Sequence, residues 1–157
     1  MHKVLLLLLL LSCMSPQHVI AKECTNYEAY TAESLYPYLS SWKEMHMAYR
    51  AYGHCDDGSI AEAFDEAITV LWEKRWDLIT EMMNEISTDS GFKRFVLKRV
   101  GTETTPINRW RVIVINAKTI CPSDAQAFCQ QIIDSDPENL QPNNTLKRDA
   151  AKDRRAP

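Results

Sequence analysis

Apolar residues return at three- and four-residue spacing along most of the chain, the signature of helices that bury one face. The longest such stretch runs from His54 to Glu85. Ile60, Phe64, Ala67, Ile68 and Leu71 form its first stripe, and Trp72, Trp76, Ile79, Met83 and Ile86 continue it past the charged triplet Glu73-Lys74-Arg75. Leu35, Tyr38, Leu39, Trp42, Met45, Tyr49 and Tyr52 predict a helix over residues 35–52, and Phe92, Phe95, Val96 and Val100 a shorter one. Residues 107–120 are ambiguous. Ile107, Trp110, Val114 and Ala117 keep the helical period, whereas Trp110, Val112 and Val114 alternate as a strand does. A lone strand would have no partner in this chain, so helix is the prediction. Phe128, Cys129, Ile132 and Ile133 predict the last helix.

The polar residues between these stripes supply starts and stops. Ser59-Ile60-Ala61-Glu62 and Ser123-Asp124-Ala125-Gln126 both match a capping box, with Asp56 and Asp57 just outside the positive end of the first. Gly53 reads as a left-handed stop, and Thr105 with Pro106 as a helix start. Two polar stretches, Ser87 to Gly91 and Gly101 to Thr105, read as loops, and Lys22 to Ser34 as a short polar lead-in. The expected fold is therefore all-α, a small single-domain helical bundle over residues 22–134.

The two ends fall outside that bundle. Met1-His2-Lys3 followed by the apolar run Val4 to Leu11 reads as a secretion signal over residues 1–21, with cleavage after Val19-Ile20-Ala21. A lipoprotein box at Leu10-Leu11-Ser12-Cys13, with anchoring at Cys13, is the lesser alternative. The run is too short to span a bilayer, so no membrane span is expected. Residues 135–157 carry few large apolar side chains and read as a flexible tail.

Export changes how the cysteines are read. Cys24, Cys55, Cys121 and Cys129 remain in the body, an even set that implies two disulfides with three possible connectivities. Residues 22–134 hold 12 basic against 17 acidic residues, a balance of −5, which disfavours nucleic acid and anionic membranes as partners. The basic residues Lys93, Arg94, Lys98 and Arg99 have no interleaved aromatic platform and read as a solvated face.

Catalytic chemistry has little to work with. Only His46 and His54 remain after the leader, and in His54-Cys55-Asp56-Asp57 adjacent side chains on a turn do not converge as a nucleophile and base must. His54, Asp56 and Asp57 lack a second ligand cluster at zinc spacing and lack the calcium-loop rhythm, so no metal is assigned. No glycine-rich cradle is present, and no cofactor is assigned. What remains is a non-enzymatic binding protein.

The residues Cys55-Asp56-Asp57-Gly58 followed by Ile60-Ala61-Glu62, then Trp76, Phe92-x-x-Phe95-Val96-Leu97, and Asn116-Ala117 ahead of Cys121-Pro122 carry a family resemblance over roughly residues 35–122. On these residues the chain resembles the type VI secretion amidase immunity proteins that neutralise the fourth class of amidase effector. The resemblance implies a periplasmic homodimer that forms a heterotetramer with a papain-like cysteine amidase. One subunit's loop enters the enzyme's cleft and a helix of the other supports it. The candidate loops are Thr88, Asp89 and Ser90 in one, and Thr102, Glu103 and Thr104 in the other. The supporting helix would present Ser59, Glu62, Asp65 and Glu66 as an exposed acidic edge. The family's paired cysteines correspond to Cys55 and Cys121, leaving Cys24 with Cys129. Ala63 stands where a glycine is expected, and Val100-Gly101 where a histidine or acidic residue is expected. The alternative to this reading is an exported helical adaptor or envelope structural protein with no enzyme partner.

Overall fold

A computed structural model describes residues 22–136. The predicted leader and most of the predicted tail lie outside the described residues. Seven α-helices occur among the described residues: α1 (Asn26–Leu35), α2 (Trp42–Tyr52), α3 (Gly58–Lys74), α4 (Ile79–Thr88), α5 (Ser90–Leu97), α6 (Ile107–Thr119) and α7 (Gln126–Asp134). Four single-turn 3-10 helices join them, and no strand occurs among the described residues. The ambiguous segment is helical, as expected from the lack of a pairing partner.

Helix α1 replaces the expected polar lead-in. Thr25 Oγ1 accepts from the Glu28 amide while the Glu28 carboxylate accepts from the Thr25 amide, a reciprocal cap that needs no apolar stripe. The same device sets the start of α2. Ser41 and Glu44 cap each other, so the helix begins at Trp42 and residues 36–38, with Pro37, form a separate 3-10 turn. Gly53 is not a left-handed stop. Its φ is −62°, and its use is spatial, because a Cβ there would meet the Tyr49 ring at 2.6 Å.

The long stripe breaks where its charges fall. Arg75 leaves helical geometry (φ −129°, ψ 44°), a 3-10 turn follows at Trp76–Leu78, and α4 starts afresh. The break lets both halves face one core. Trp42, Met45, Ile68, Leu71, Trp72, Ile79, Met82, Phe92, Val96, Ile113 and Ile132 are fully buried there. Burying each such side chain contributes about 1.5–3 kcal/mol before chain entropy is counted. Trp72 Nε1 donates to Met82 Sδ at 3.3 Å, and Trp76 Nε1 donates to the Ile120 carbonyl at 3.1 Å, tying the α3–α4 junction to the end of α6.

The predicted cap at Ser59 is displaced. Asp57 is the N-cap, in extended geometry with its carboxylate accepting from the Gly58 amide, so Ser59 lies inside the first turn. Ser123–Ala125 is likewise a 3-10 turn without a side-chain cap, rather than a capping box. Helix α6 starts after Pro106, not after Thr105. At the C-terminal end, Ser135 and Asp136 belong to the body: Asp136 is buried and pairs with Lys118 Nζ at 3.3 Å.

Two disulfides are present, but their pairing differs from the one the resemblance implies. Cys24 bonds Cys55 and Cys121 bonds Cys129, with Cα separations of 5.0 and 6.2 Å. The reason is local geometry. The 3-10 turn Gly53–Cys55 packs beside α1, while Cys121 and Cys129 flank the turn that joins α6 to α7. Peptide mapping without reductant should recover these two pairs and neither Cys55–Cys121 nor Cys24–Cys129. The bonds span 31 and 8 residues. Loop-closure entropy then predicts that replacing both partners by serine lowers the unfolding free energy by about 3–4 kcal/mol at the first bond and about 2–3 kcal/mol at the second, read from denaturant curves.

Candidate functional site

The two predicted loops have different fates. Residues 87–91 do not protrude. Helix α4 runs to Thr88 and α5 begins at Ser90, with Asp89 alone between them. Its carboxylate Oδ1 accepts from the Gly91 and Phe92 amides at 2.8 and 2.9 Å, which caps α5 without extra chain. Oδ2 faces inward to His46 Nε2 at 3.2 Å, and Glu85 Oε2 holds His46 Nδ1 at 2.6 Å. The imidazole stacks on Phe92, centroids 4.3 Å apart. Asp89 is thus an internal joint between α2, α4 and α5. Thr88 donates to the Glu85 carbonyl, and Ser90 is exposed in the first turn of α5.

Residues 101–106 do form a loop, and a fixed one. Gly101 has φ +75°, a left-handed value that a side chain would strain, and a Cβ there would meet Ser135 Cβ at 3.0 Å. The Thr105 amide then donates to the Thr102 carbonyl at 3.3 Å, closing a tight turn. Thr102 Oγ1 donates to the Arg99 carbonyl at 3.3 Å, and Thr104 Oγ1 donates to Asp65 Oδ2 at 2.8 Å. Glu103, at the tip, is exposed and has no ion-pair partner among the described residues. A cleft of about 420 Å³ runs beside this loop, lined by residues 101–107 and Trp110.

The loop's anchor is a buried charge cluster. Arg99 is 1% exposed and lies over the Phe95 ring, 3.9 Å from its centroid. Its Nη2 donates to Asp56 Oδ1 at 2.7 Å, and Nη1 donates to the Phe95 carbonyl. Nε sits 2.8 Å from Asp65 Oδ1, a charge contact whose N–H is not aligned on the oxygen. Lys98 Nζ closes on the other Asp56 oxygen. One guanidinium therefore holds the connection leading into α3, the middle of α3 and the root of the loop.

This cluster corrects the exposed acidic edge. Asp65 is spent on Arg99 and Thr104. Glu66 accepts two bonds from Arg109, the Nη2 one at 2.8 Å, and Glu73 receives Arg109 Nε at 3.2 Å. The Arg109 guanidinium holds the Glu66 carboxyl below its ordinary 4.5. Of the four residues expected on the supporting helix, Ser59 and Glu62 are the exposed ones. Within the chain, Thr104 ties the loop to Asp65 of this helix.

Cys55, the nucleophile considered and set aside, is bonded and buried. His54, Asp56 and Asp57 point to three different places: His54 Nε2 to Glu28 Oε1 at 3.4 Å, Asp56 to Arg99, and Asp57 to its own helix cap. They do not converge on one ion. A second surface, unexpected from sequence, is an apolar groove along α1 and α2 lined by Leu35, Tyr38, Leu39, Met47, Ala48 and Tyr52, with Tyr38 77% and Met47 58% exposed. No helix among the described residues is long and apolar enough to cross a membrane. No family model matches the chain, and neither a curated protein nor a solved structure matches it.

Arg99→Ala would leave the half-buried carboxylates of Asp56 and Asp65 without their shared cation, a loss of about 3 kcal/mol in unfolding free energy measured by urea titration. Acid should act at the other contacts. Glu66 is depressed by Arg109, and Asp89 is depressed below its ordinary 3.8 by the Phe92 amide and then by His46. A carboxyl lowered in the folded state contributes stability that is fully present above its unfolded pKa and is lost as pH falls through the folded one. Melting temperatures should hold down to about pH 5 and then drop below about pH 4, with a shallower drop in Glu66→Gln.

Proposed function

We propose that the protein is a non-enzymatic inhibitor: a periplasmic immunity protein whose loop at residues 101–105 plugs the active-site cleft of a type VI secreted peptidoglycan amidase. The observation that carries this reading is the pinned loop, with Gly101 at positive φ, Thr104 bonded to Asp65, and Glu103 free at the tip. A loop already held in one conformation loses little entropy on docking, so its polar tip adds affinity instead of offsetting an ordering cost. A carboxylate and hydroxyls at that tip suit the backbone amides and polar side chains that line a peptide-cleaving cleft. The resemblance over residues 35–122 supplies the partner class. Two disulfides in so small a body are compatible with an oxidising compartment.

The homodimer belongs to the same reading, and its support is the apolar groove of α1 and α2, which leaves Tyr38 and Met47 in water in the single chain. That groove is also what an adaptor with no enzyme partner would use, so the test must involve the enzyme.

The decisive experiment is co-purification with cysteine amidases encoded beside this reading frame, followed by a cell-wall cleavage assay. The intact protein should abolish cleavage. Replacing Thr102-Glu103-Thr104 by Gly-Ser-Gly should remove inhibition while leaving the helical circular dichroism intact. Thr104→Ala, which removes both the tie to Asp65 and one hydroxyl of the tip, should weaken inhibition by about tenfold or more, at least the worth of one hydrogen bond to a charged acceptor. Full inhibition by the Gly-Ser-Gly variant would sink the occlusion reading.

A further inference from the structure

Where the N-terminal segment meets the 3-10 turn at Gly53–Cys55, the disulfide has beside it an imidazole that neither the fold nor the inhibitor reading uses. Cys24 Sγ, Cys55 Sγ and a ring nitrogen of His54 all lie within 4.8 Å of one another. His54 Nε2 is buried and makes no hydrogen bond. Two cysteine sulfurs and one imidazole are ligands that zinc takes, with the fourth position left to water.

In the oxidised protein the two sulfurs are bonded to each other and are poor ligands. We propose that reduction of the Cys24–Cys55 disulfide converts this corner into a zinc-class metal site with Cys24, Cys55 and His54 as ligands. The reductant is a thiol or dithiol. Two thiols give up two electrons and two protons, the S–S bond breaks, Cys24 and Cys55 become thiols, and the reductant leaves as its own disulfide. The divalent ion then displaces one proton from each cysteine thiol as two S–metal bonds form.

The chain around the site permits the rearrangement. The sulfurs must part from bonding distance to about 3.8 Å, the spacing of two thiolates each about 2.3 Å from one zinc. Cys55 is fixed, being 2% exposed in a turn packed on the core. Cys24 lies in the extended lead before α1 and is the more accessible of the two, so it supplies the movement and the point of attack. The other disulfide, Cys121–Cys129, has no histidine beside it in the chain and serves as an internal control.

The test uses the full chain, anaerobically reduced, titrated with cobalt(II) as a spectroscopic stand-in for zinc. The reduced protein should bind one cobalt per chain, with a thiolate-to-cobalt charge-transfer band and the strong visible absorption of a tetrahedral ion. Zinc should displace it, and the oxidised protein should show no band. Cys121→Ser/Cys129→Ser should behave as the parent does. His54→Ala should lose more than tenfold in affinity. Cys24→Ser, with its helical circular dichroism checked against the reduced parent, should lose the two-thiolate charge-transfer intensity. A reduced parent without the band, or a band that survives both His54→Ala and Cys24→Ser, would overturn the site. So would a band that disappears only with Cys121 and Cys129. None of these results bears on amidase inhibition, so the two proposals fail separately.

Discussion

The buried guanidinium of Arg99 is the contact on which the arrangement of this protein depends. Taking a charge out of water is expensive unless it is paired, and here the guanidinium has two carboxylates and a carbonyl around it, with only the Nε hydrogen left without an aligned acceptor. Phe95 covers it from one side, Asp56 and Asp65 meet its nitrogens, and the Phe95 carbonyl accepts from Nη1. Those partners come from the α2–α3 connection, from α3 and from α5. An apolar side chain of the same size would fill the volume but would not select which helices meet there. The charge cluster makes the meeting of these three pieces specific, and the adjoining loop inherits its position from that specificity.

Much of the helical content was legible because apolar spacing is a direct consequence of burying one face. The stripe of Ile60, Phe64, Ala67, Ile68 and Leu71, and that of Phe92, Phe95 and Val96, are buried as read. What spacing could not show was where one helix stops and the next begins. Thr25-x-x-Glu28 and Ser41-x-x-Glu44 are working capping boxes that a stripe-led reading passed over, whereas Ser59-x-x-Glu62 and Ser123-x-x-Gln126 carry the pattern without the geometry. At the first of these, Asp57, two residues earlier, already occupies the extended cap conformation, so Ser59 arrives too late to cap.

The candidate site was half legible. A glycine followed by threonines and a proline marks residues 101–106 as a loop, and the chain forms one there. The same logic failed at residues 87–91, because a single aspartate that caps the next helix and also reaches His46 removes any need for a loop. The acidic edge failed for a related reason. Carboxylates spaced along a helix look like solvent-facing charge until the cations from distant segments, Arg99 and Arg109, are brought onto them. Neither arginine is close in sequence to its partners, so only the tertiary fold could reveal that Asp65 and Glu66 are structural. The cysteine pairing was undetermined by spacing, and the one supplied by resemblance joined positions that this fold keeps apart.

The connectivity of the two disulfides has an implication for how the chain matures. The pairs are sequential: the first closes before the second begins, and no bond threads across the other. Among the four bonded cysteines, a chain emerging N-terminus first into an oxidising space would therefore present each with its correct partner as the next one to appear. Oxidation in order of arrival would give the native bonds without reshuffling, and a disulfide isomerase would have little to correct.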